Sequence, residues 1–213
     1  RKWASLNPAA TMRDPITIDD VMNSTRVSDP LKLLDCCLVT DGAGAIVMTT
    51  ADNARAHGAK MTHIRGYGEA HTHWSIGAMP DLARLTAAEM SSQRAFQMAG
   101  VSHDAIDLVE CYDSFTITVL MTLEALGFCK RGEGGQFVMN QRTAPGGAFP
   151  LNTNGGGLSY CHPGMYGIFL LVEAVRQLRG EAGERQVKKV DTALVHGTGG
   201  TLSSGATVIL ANS

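Results

Sequence analysis

Two kinds of apolar pattern alternate along the last two thirds of the chain. Short runs rich in Val, Ile and Leu predict buried strands, and longer segments with apolar residues every three or four positions predict helices. Glycines at positions 100, 127 and 180 mark the ends of the three helical segments. The predicted strands are 61–70, 106–111, 190–195 and 206–210, and the predicted helices are 86–99, 115–126 and 165–178. This alternation predicts an α/β fold with layered sheets and helices.

The first third of the chain is interrupted by prolines and predicts less regular structure. Residues 1–33 predict a connecting arm with one short helix at 18–24. Two apolar, β-branched runs follow, at 33–40 and 44–51, and Asp41-Gly42 separates them. These runs predict either two strands buried on both faces or a tight hairpin. A further short helix is predicted at 51–57, before Gly58.

A second structural unit is predicted to begin near Thr86. Thr86 and Glu89 have the spacing of a capping box, in which a hydroxyl and a carboxylate bond the free amides of the first helical turn. We therefore divide the chain into the arm at 1–33, the end of one domain at 34–84 and a further domain at 85–213.

The composition narrows the classes of function. The net charge of the 213 residues is −2, so no basic surface for nucleic acid or for a membrane is expected. No apolar run approaches the roughly 20 residues that span a bilayer. The five cysteines are odd in number and form no C-x-x-C pair, which favours a reducing cytoplasm over a disulfide framework. His71 and His73 would share one face of a strand, but without a third ligand we expect no metal site.

Three polar clusters lie at the ends of apolar elements, where sites of α/β proteins are usually found. Each cluster places a titratable group beside small residues, and glycines allow a substrate to reach backbone N–H donors. The clusters are ECYDSF at 110–115, NTNGGG at 152–157 with SYCHPGMYG at 159–167, and HGTGG at 196–200.

Taken in order, these clusters resemble the C-terminal half of the thiolase superfamily. That half carries an N-E-A-F-like motif, then N-x-N-G-G with G-H-P, then C-x-G-G-G, where this chain has YDSF, NTNGGG with CHP, and HGTGG. The earlier segments NPAA, DPLKLLDCC and DGAGA resemble the end of a thiolase N-terminal domain. The resemblance implies a thiolase-like layered αβαβα fold, of which the chain covers the C-terminal half.

The resemblance also implies roles for individual residues. The family's G-H-P histidine falls on His162, the N-E-A-F asparagine falls on Tyr112, and the C-terminal acid/base cysteine falls on His196. The acyl-accepting cysteine of the family belongs to the N-terminal half, outside these 213 residues. We expect three loops to form one pocket, in which a phenol and two imidazoles surround a thioester carbonyl. The substrate contacts expected in the same clusters are Asp113, Ser114, Asn154, Gly199 and Gly200.

Two tyrosines, Tyr112 and Tyr166, are similar to those of the lipid-transfer-protein and sterol-carrier-type branch, which includes aldolases that cut the side chain of steroid-CoA thioesters. In that chemistry one tyrosine takes the proton of a β-hydroxyl group and the second helps to protonate the enolate product. Coenzyme A is then part of the substrate, and no bound cofactor is expected. The resemblance further implies an acyl-CoA substrate, a homodimer and a small OB-fold partner subunit.

Other interpretations stay open on the sequence. Tyr112 has the pattern of a boundary tyrosine with a wet hydroxyl, His162 precedes a proline as turn residues do, and Tyr166 could simply pack. Cys111 and Cys161 are read as small core residues. The alternative functions are an acetyl-CoA acetyltransferase or thiolase that uses a cysteine in the preceding half, and a non-catalytic lipid carrier or scaffold.

Overall fold

A computed structural model describes residues 1–58 and 60–212 of the chain. The centre is one mixed sheet of four strands in the order β3-β6-β5-β4, where β4 runs parallel to β5 and the other neighbours are antiparallel. The strands of this sheet are β3 (His63–His71), β4 (Leu108–Cys111), β5 (Thr192–Gly199) and β6 (Ser204–Ala211). A separate pair, β1 (Arg26–Ser28) and β2 (Leu31–Lys32), lies in the arm.

Helices cover both faces of the sheet, so the expected layered α/β architecture is confirmed. The helices are α1 (Lys2–Ser5), α2 (Ile18–Asn23), α3 (Ala51–Ala56), α4 (Thr86–Ala99), α5 (Thr116–Ala125), α6 (Gly134–Phe137), α7 (Gly156–Ser159) and α8 (Gly167–Arg179). Helix α4 packs against β3 and β6, and α8 packs against β4 and β5. Along β5, Leu194 belongs to the core beside α4 and α5, while Val195 belongs to the core beside α8.

Two glycines of β3 explain how closely α4 approaches the sheet. A Cβ atom at Gly66 would lie 2.3 Å from the carbonyl oxygen of Ala95, and one at Gly68 would lie 2.2 Å from that of Ser91. Both distances are far below van der Waals contact, so only glycine allows this packing.

β3 lies before residue 85, where the further domain was predicted to begin, but it pairs with β6 from within that predicted domain.

The prediction of two strands or a hairpin at 33–40 and 44–51 is wrong. The first run begins with a 3₁₀ turn at Leu33–Asp35, and its one bridge joins Cys36 to Phe115. Residues 44–50 lie within the described part of the chain and form no helix or strand there; Val47, for example, is 92% exposed. The β-branched composition predicted strands, but no strand in the described part of the chain supplies the hydrogen bonds that a strand requires.

The capping box predicted at Thr86 is also wrong. The residue before α4 is Leu85, without a side-chain cap, and the Glu89 carboxylate instead accepts a hydrogen bond from Arg84 Nε at 2.9 Å. Arg84, two residues before the helix, therefore binds the carboxylate that the motif needs. The ends of the helices agree with the prediction, because Gly100 and Gly180 close α4 and α8 in the left-handed conformation, at φ 66° and 72°.

The last two strands are longer than the apolar runs that predicted them. The glycine-rich segment 196–205 lies largely inside β5 and β6, and only a tight turn joins the strands. Within the described residues no helix combines the length and the apolar character needed to cross a membrane.

Candidate active site

Two of the predicted site residues meet at the end of β4. The Tyr112 hydroxyl lies 2.8 Å from Nε2 of His162, and it also lies 3.1 Å from the carbonyl oxygen of Gly164. The rings meet edge to face with their centroids 5.4 Å apart. The phenol has one proton to donate, so it donates either to His162 or to Gly164, and in the second case His162 donates to the phenol oxygen.

Burial keeps this pair neutral near pH 7. Partial burial raises the pKa of the Tyr112 phenol above its usual range and lowers the pKa of His162 below its usual value. Both shifts disfavour the charged forms, phenolate and imidazolium. A proton is therefore shared between a neutral phenol and a neutral imidazole, which is suited to passing a proton onward.

Tyr166 lies behind this pair and is fully buried. Its ring centroid is 5.9 Å from that of Tyr112, and its hydroxyl donates to Asn154 Oδ1 at 2.8 Å. Burial raises the pKa of the Tyr166 phenol well above 10. The same Asn154 oxygen accepts the N–H of Gly156, while Asn154 Nδ2 is buried without a partner among the described residues. Asn154 thus binds Tyr166 in this structure.

The Asp113 carboxylate bonds the glycine loop. It accepts the N–H of Gly157 at 2.6 Å and of Leu158 at 3.2 Å, and only 2% of the residue is exposed. Burial raises its pKa to about 7, although both N–H groups lower it. Gly156 has φ +70°, and a Cβ there would lie 2.0 Å from Asp113 Oδ2. Asp113 therefore fixes the loop that leads to His162.

The His196 ring does not join the Tyr112–His162 pair. His196 is in register with Cys111 on the adjacent strand, so it shares the face of Cys111 and not that of Tyr112. Its Nδ1 is 2.9 Å from the hydroxyl of Thr207, which is 3.0 Å from the hydroxyl of Ser91 on α4. Full burial lowers the pKa of His196 to about 4. The expected pocket of one phenol and two imidazoles is thus formed only in part, and the acid/base role of His196 stays a prediction.

The remaining predicted contacts lie around the same edge. Ser114 is partly buried, and its hydroxyl is 3.4 Å from that of Thr118. Gly199 ends β5, and Gly200 lies in the turn to β6 at φ +61°. Both glycines lie beyond Cys111, the last residue of β4, along the direction of the strands. Their contacts with a substrate stay a prediction.

The extended segment 36–40 lines the site, which the sequence did not indicate. Cys37 N donates to Ser114 O and Leu38 N donates to Gly157 O, both at 2.9 Å. At its end Thr40 Oγ1 accepts the N–H of His162 at 2.9 Å. The apolar character of this run pointed to a strand, whereas it contacts the site loops through its backbone N–H groups and the Thr40 hydroxyl.

Asn152 is a second residue that the sequence did not single out for the site. It has a left-handed backbone, at φ 50°, and its side-chain amide bonds the backbone of Cys111. Asparagine tolerates this conformation better than most residues, so the Asn-x-Asn-Gly motif did carry a signal.

A large apolar cavity lies elsewhere and contains none of the predicted site residues. Its volume is about 620 Å³, and it lies between residues 46–57 and 60–64, α8 and β6. Among the described residues no group of three or more His, Cys, Asp or Glu side chains is placed to hold a metal ion.

Comparison with known proteins identifies the family of the chain. Residues 68–212 match the family model described as thiolase C-terminal domain-like. An acetyl-CoA acetyltransferase of Methanothermobacter thermautotrophicus is 39% identical over 199 residues, covering 93% of this chain and 52% of the relative. A 17-hydroxy-3-oxo-4-pregnene-20-carboxyl-CoA lyase of Mycobacterium tuberculosis is 37% identical over 212 residues, covering 96% of this chain and 54% of the relative.

Solved structures with a similar fold were also found. A structure described as an Ltp2-ChsH2(DUF35) aldolase matches with a TM-score of 0.86 and 30% identity, covering 99% of this chain and 55% of that chain. A sterol-carrier-type thiolase-like protein of Mycobacterium smegmatis matches with a TM-score of 0.74 and 20% identity, which supports the fold alone; it covers all of this chain and 44% of that one. The chain spans about half the length of the curated relatives it matches. It belongs to the thiolase superfamily, and residues 68–212 are its thiolase C-terminal domain-like region.

Proposed function

We propose that this chain supplies the proton-transfer groups of a thiolase-superfamily enzyme that cleaves a β-hydroxyacyl-CoA by a retro-aldol reaction. The observation that carries the proposal is the 2.8 Å contact between the Tyr112 hydroxyl and His162 Nε2. It joins a phenol that can reach a hydroxyl group to a neutral base that can take the proton from the phenol.

The reaction is written with these groups as follows. The β-hydroxyl of the substrate gives its proton to the Tyr112 oxygen, and Tyr112 gives its own proton to His162 Nε2. The bond between the α and β carbons then breaks, which leaves an aldehyde or ketone and the enolate of a shorter acyl-CoA. The proton returns through Tyr112 to the α carbon of that enolate, so no proton is gained or lost overall.

The raised pKa of Tyr112 favours this relay over a resting phenolate. A phenol that keeps its proton acts as a base only when a neighbour accepts that proton in the same step, and His162 is placed to do so. His162 in turn starts neutral because burial lowers its pKa.

One of the two tyrosines, Tyr112 and Tyr166, was expected to help protonate the enolate, and Tyr166 is poorly placed for it. Its hydroxyl is fully buried and donates to Asn154, so the proposal gives both proton transfers to Tyr112 and His162. Tyr166 and Asn154 would then support the Tyr112 ring from behind.

The similar proteins support this choice. One relative is named as a carboxyl-CoA lyase, and the solved structure with a TM-score of 0.86 is described as an aldolase of two components. We therefore extend the proposal to an acyl-CoA substrate, with coenzyme A as part of the substrate, and to a small partner subunit. A homodimer is the proposed state of the chain itself.

Acyl transfer is the second candidate, because a 39% identical relative is named acetyl-CoA acetyltransferase. That reaction uses a cysteine nucleophile and free CoA, and the nucleophile would have to lie outside these 213 residues. In that case His162 would activate the cysteine.

Substrate and cosubstrate dependence separate the candidates. The full-length protein is incubated with a β-hydroxyacyl-CoA and with a β-ketoacyl-CoA, each with and without free CoA, and the products are followed by chromatography. Cleavage of the hydroxy substrate that does not depend on free CoA supports the retro-aldol proposal. Cleavage of the keto substrate only with free CoA supports thiolysis and overturns it. Tight acyl-CoA binding with no product from either substrate would instead indicate a carrier or scaffold.

A further inference from the structure

Leu151 and Asn152 pair with the outer edge of β4, and the proposed reaction uses neither residue. Leu151 bridges Val109 in the parallel direction, and Asn152 N donates to Val109 O at 3.1 Å. At Asn152 the backbone turns to φ 50°, so the main chain leaves the strand direction there. Its side chain is buried.

Beyond this turn, the Asn152 side-chain amide makes the hydrogen bonds to β4 that the next peptide group would make if the strand continued. Cys111 N donates to Asn152 Oδ1 at 2.8 Å, and Asn152 Nδ2 donates to Cys111 O at 2.9 Å. On the other side of the strand, Tyr112 N donates to His196 O at 3.0 Å. The N–H and the carbonyl oxygen of Cys111 and the N–H of Tyr112 therefore all have hydrogen-bond partners.

We propose that Asn152 is a positioning residue for Tyr112, whose amide fixes the Cys111 peptide groups and thereby the distance between the phenol and His162. Where turnover is the readout, the inference rests on the proposed retro-aldol function. It assigns Asn152 no contact with the substrate.

The physical reason is geometric. The Tyr112 hydroxyl is far from the backbone that carries it, so a small rotation at Cys111 moves the hydroxyl out of reach of His162. A displacement of about 1 Å at a reacting group costs on the order of a hundredfold in rate. The phenol ring also keeps water from His162, whose pKa is lowered by burial. A loosened Tyr112 admits water and returns that pKa toward its ordinary value.

Asn152→Gly removes the amide and keeps the left-handed backbone, because glycine adopts positive φ without strain. The matched control is Asn140→Gly, since Asn140 is an exposed asparagine with a similar φ of 57°. Both variants replace one left-handed asparagine, but only the first removes the bonds to Cys111 and the interaction of the Asn152 side chain with Asp113. The two are compared in the full-length protein by steady-state kinetics with a β-hydroxyacyl-CoA and by NMR titration of the histidine side chains.

We expect Asn152→Gly to lower kcat by about a hundredfold with little change in KM, and to raise the pKa of His162. Asn140→Gly should change neither. A folded Asn152→Gly protein with wild-type kcat overturns the inference, and so does a loss of kcat with an unchanged His162 titration.

Two further outcomes remain informative. If Asn152→Gly does not fold, Asn152→Asp keeps the acceptor for Cys111 N–H, and it must show the same two changes or the inference fails. If the wild-type protein turns over neither substrate, the proposed function fails, and the His162 titration of the variant alone decides the role of Asn152.

Discussion

The Tyr112 hydroxyl and His162 Nε2 lie 2.8 Å apart, although 50 positions separate the two residues in the chain. Tyr112 comes from the end of β4, and His162 comes from the loop after α7. Three contacts bring them together: Asp113 with Gly157 N, Thr40 Oγ1 with His162 N, and the Asn152 amide with Cys111. The side chains of these three residues therefore bond the backbone of other segments and hold the partly buried phenol and imidazole together.

Removing the Tyr112 hydroxyl tests the proposed relay directly. Tyr112→Phe keeps the ring that packs against His162 and Tyr166, but it has no proton to take or give. We expect kcat with a β-hydroxyacyl-CoA to fall by about 10²- to 10⁴-fold, the usual range for loss of a general acid or base.

Tyr67→Phe is the matched control, because Tyr67 is a tyrosine of β3 that is 58% exposed. It should retain wild-type kcat. Melting curves should show that both variants fold, so that a loss of rate in Tyr112→Phe is not a loss of protein. Wild-type turnover in Tyr112→Phe would remove the phenol from the mechanism.

Tyr166→Phe separates a buried support from a second proton carrier. The variant loses the bond from the hydroxyl to Asn154 Oδ1, which still accepts the N–H of Gly156. We expect a loss of about 1 kcal/mol in the free energy of unfolding, typical of one hydrogen bond, and less than a tenfold fall in kcat. Thermal melting and steady-state kinetics measure the two effects. A fall in kcat as large as that of Tyr112→Phe would assign Tyr166 the second proton transfer.

Much of the fold was predictable because the C-terminal elements obey local rules. The helices predicted at 86–99 and 165–178 have apolar residues at helical spacing, and the observed α4 and α8 end at glycines that adopt the left-handed conformation. Strands β4 and β5 carry continuous apolar runs because helices cover both faces of the sheet there, whereas β3 alternates buried and exposed residues. The prediction of strands at 33–40 and 44–51 failed because the β-branched residues there satisfy the same local rule, while the partner strand that they lack among the described residues is a property of the tertiary structure.

The site was predictable only in part. The motifs identified Tyr112 and His162, which meet, but the side to which a strand residue points depends on register. His196 faces α4 because it is in register with Cys111, and one residue of shift would have turned it toward Tyr112. Asn152 and Thr40 act through bonds to the backbone of distant residues, which single-sequence patterns do not reveal.

Gly156→Ala tests how tightly Asp113 fixes the glycine loop. The new methyl group would lie 2.0 Å from Asp113 Oδ2, and the residue has φ +70°. Alanine at positive φ costs about 1–2 kcal/mol, and overpacking typically adds 1–3 kcal/mol. We therefore expect a larger loss of stability than backbone strain alone gives, together with a loss of activity as the His162 loop shifts.

Gly132→Ala supplies the control for backbone strain. Gly132 has φ +84°, and a Cβ there would have no atom within 4 Å. Chemical denaturation of both variants separates the two effects, since only Gly156→Ala contacts Asp113. Equal losses of stability in the two variants would show that the loop yields to the methyl group and that Asp113 does not fix it.

The burial of His196 predicts how the free energy of unfolding depends on pH. Its pKa is 6.5 in the unfolded chain and about 4 in the folded protein, because burial disfavours imidazolium. Its contribution is therefore fully present above pH 6.5 and is lost as the pH falls to about 4; the difference of pKa corresponds to about 3 kcal/mol. His196→Asn keeps a neutral polar side chain near Thr207 and should flatten the decline in unfolding free energy between pH 6.5 and 4.

His57→Asn, at an exposed histidine after α3, is the control and should leave the wild-type decline unchanged. Denaturant unfolding across this pH range measures both, and an equally steep decline in His196→Asn would mean that other groups cause the acid sensitivity.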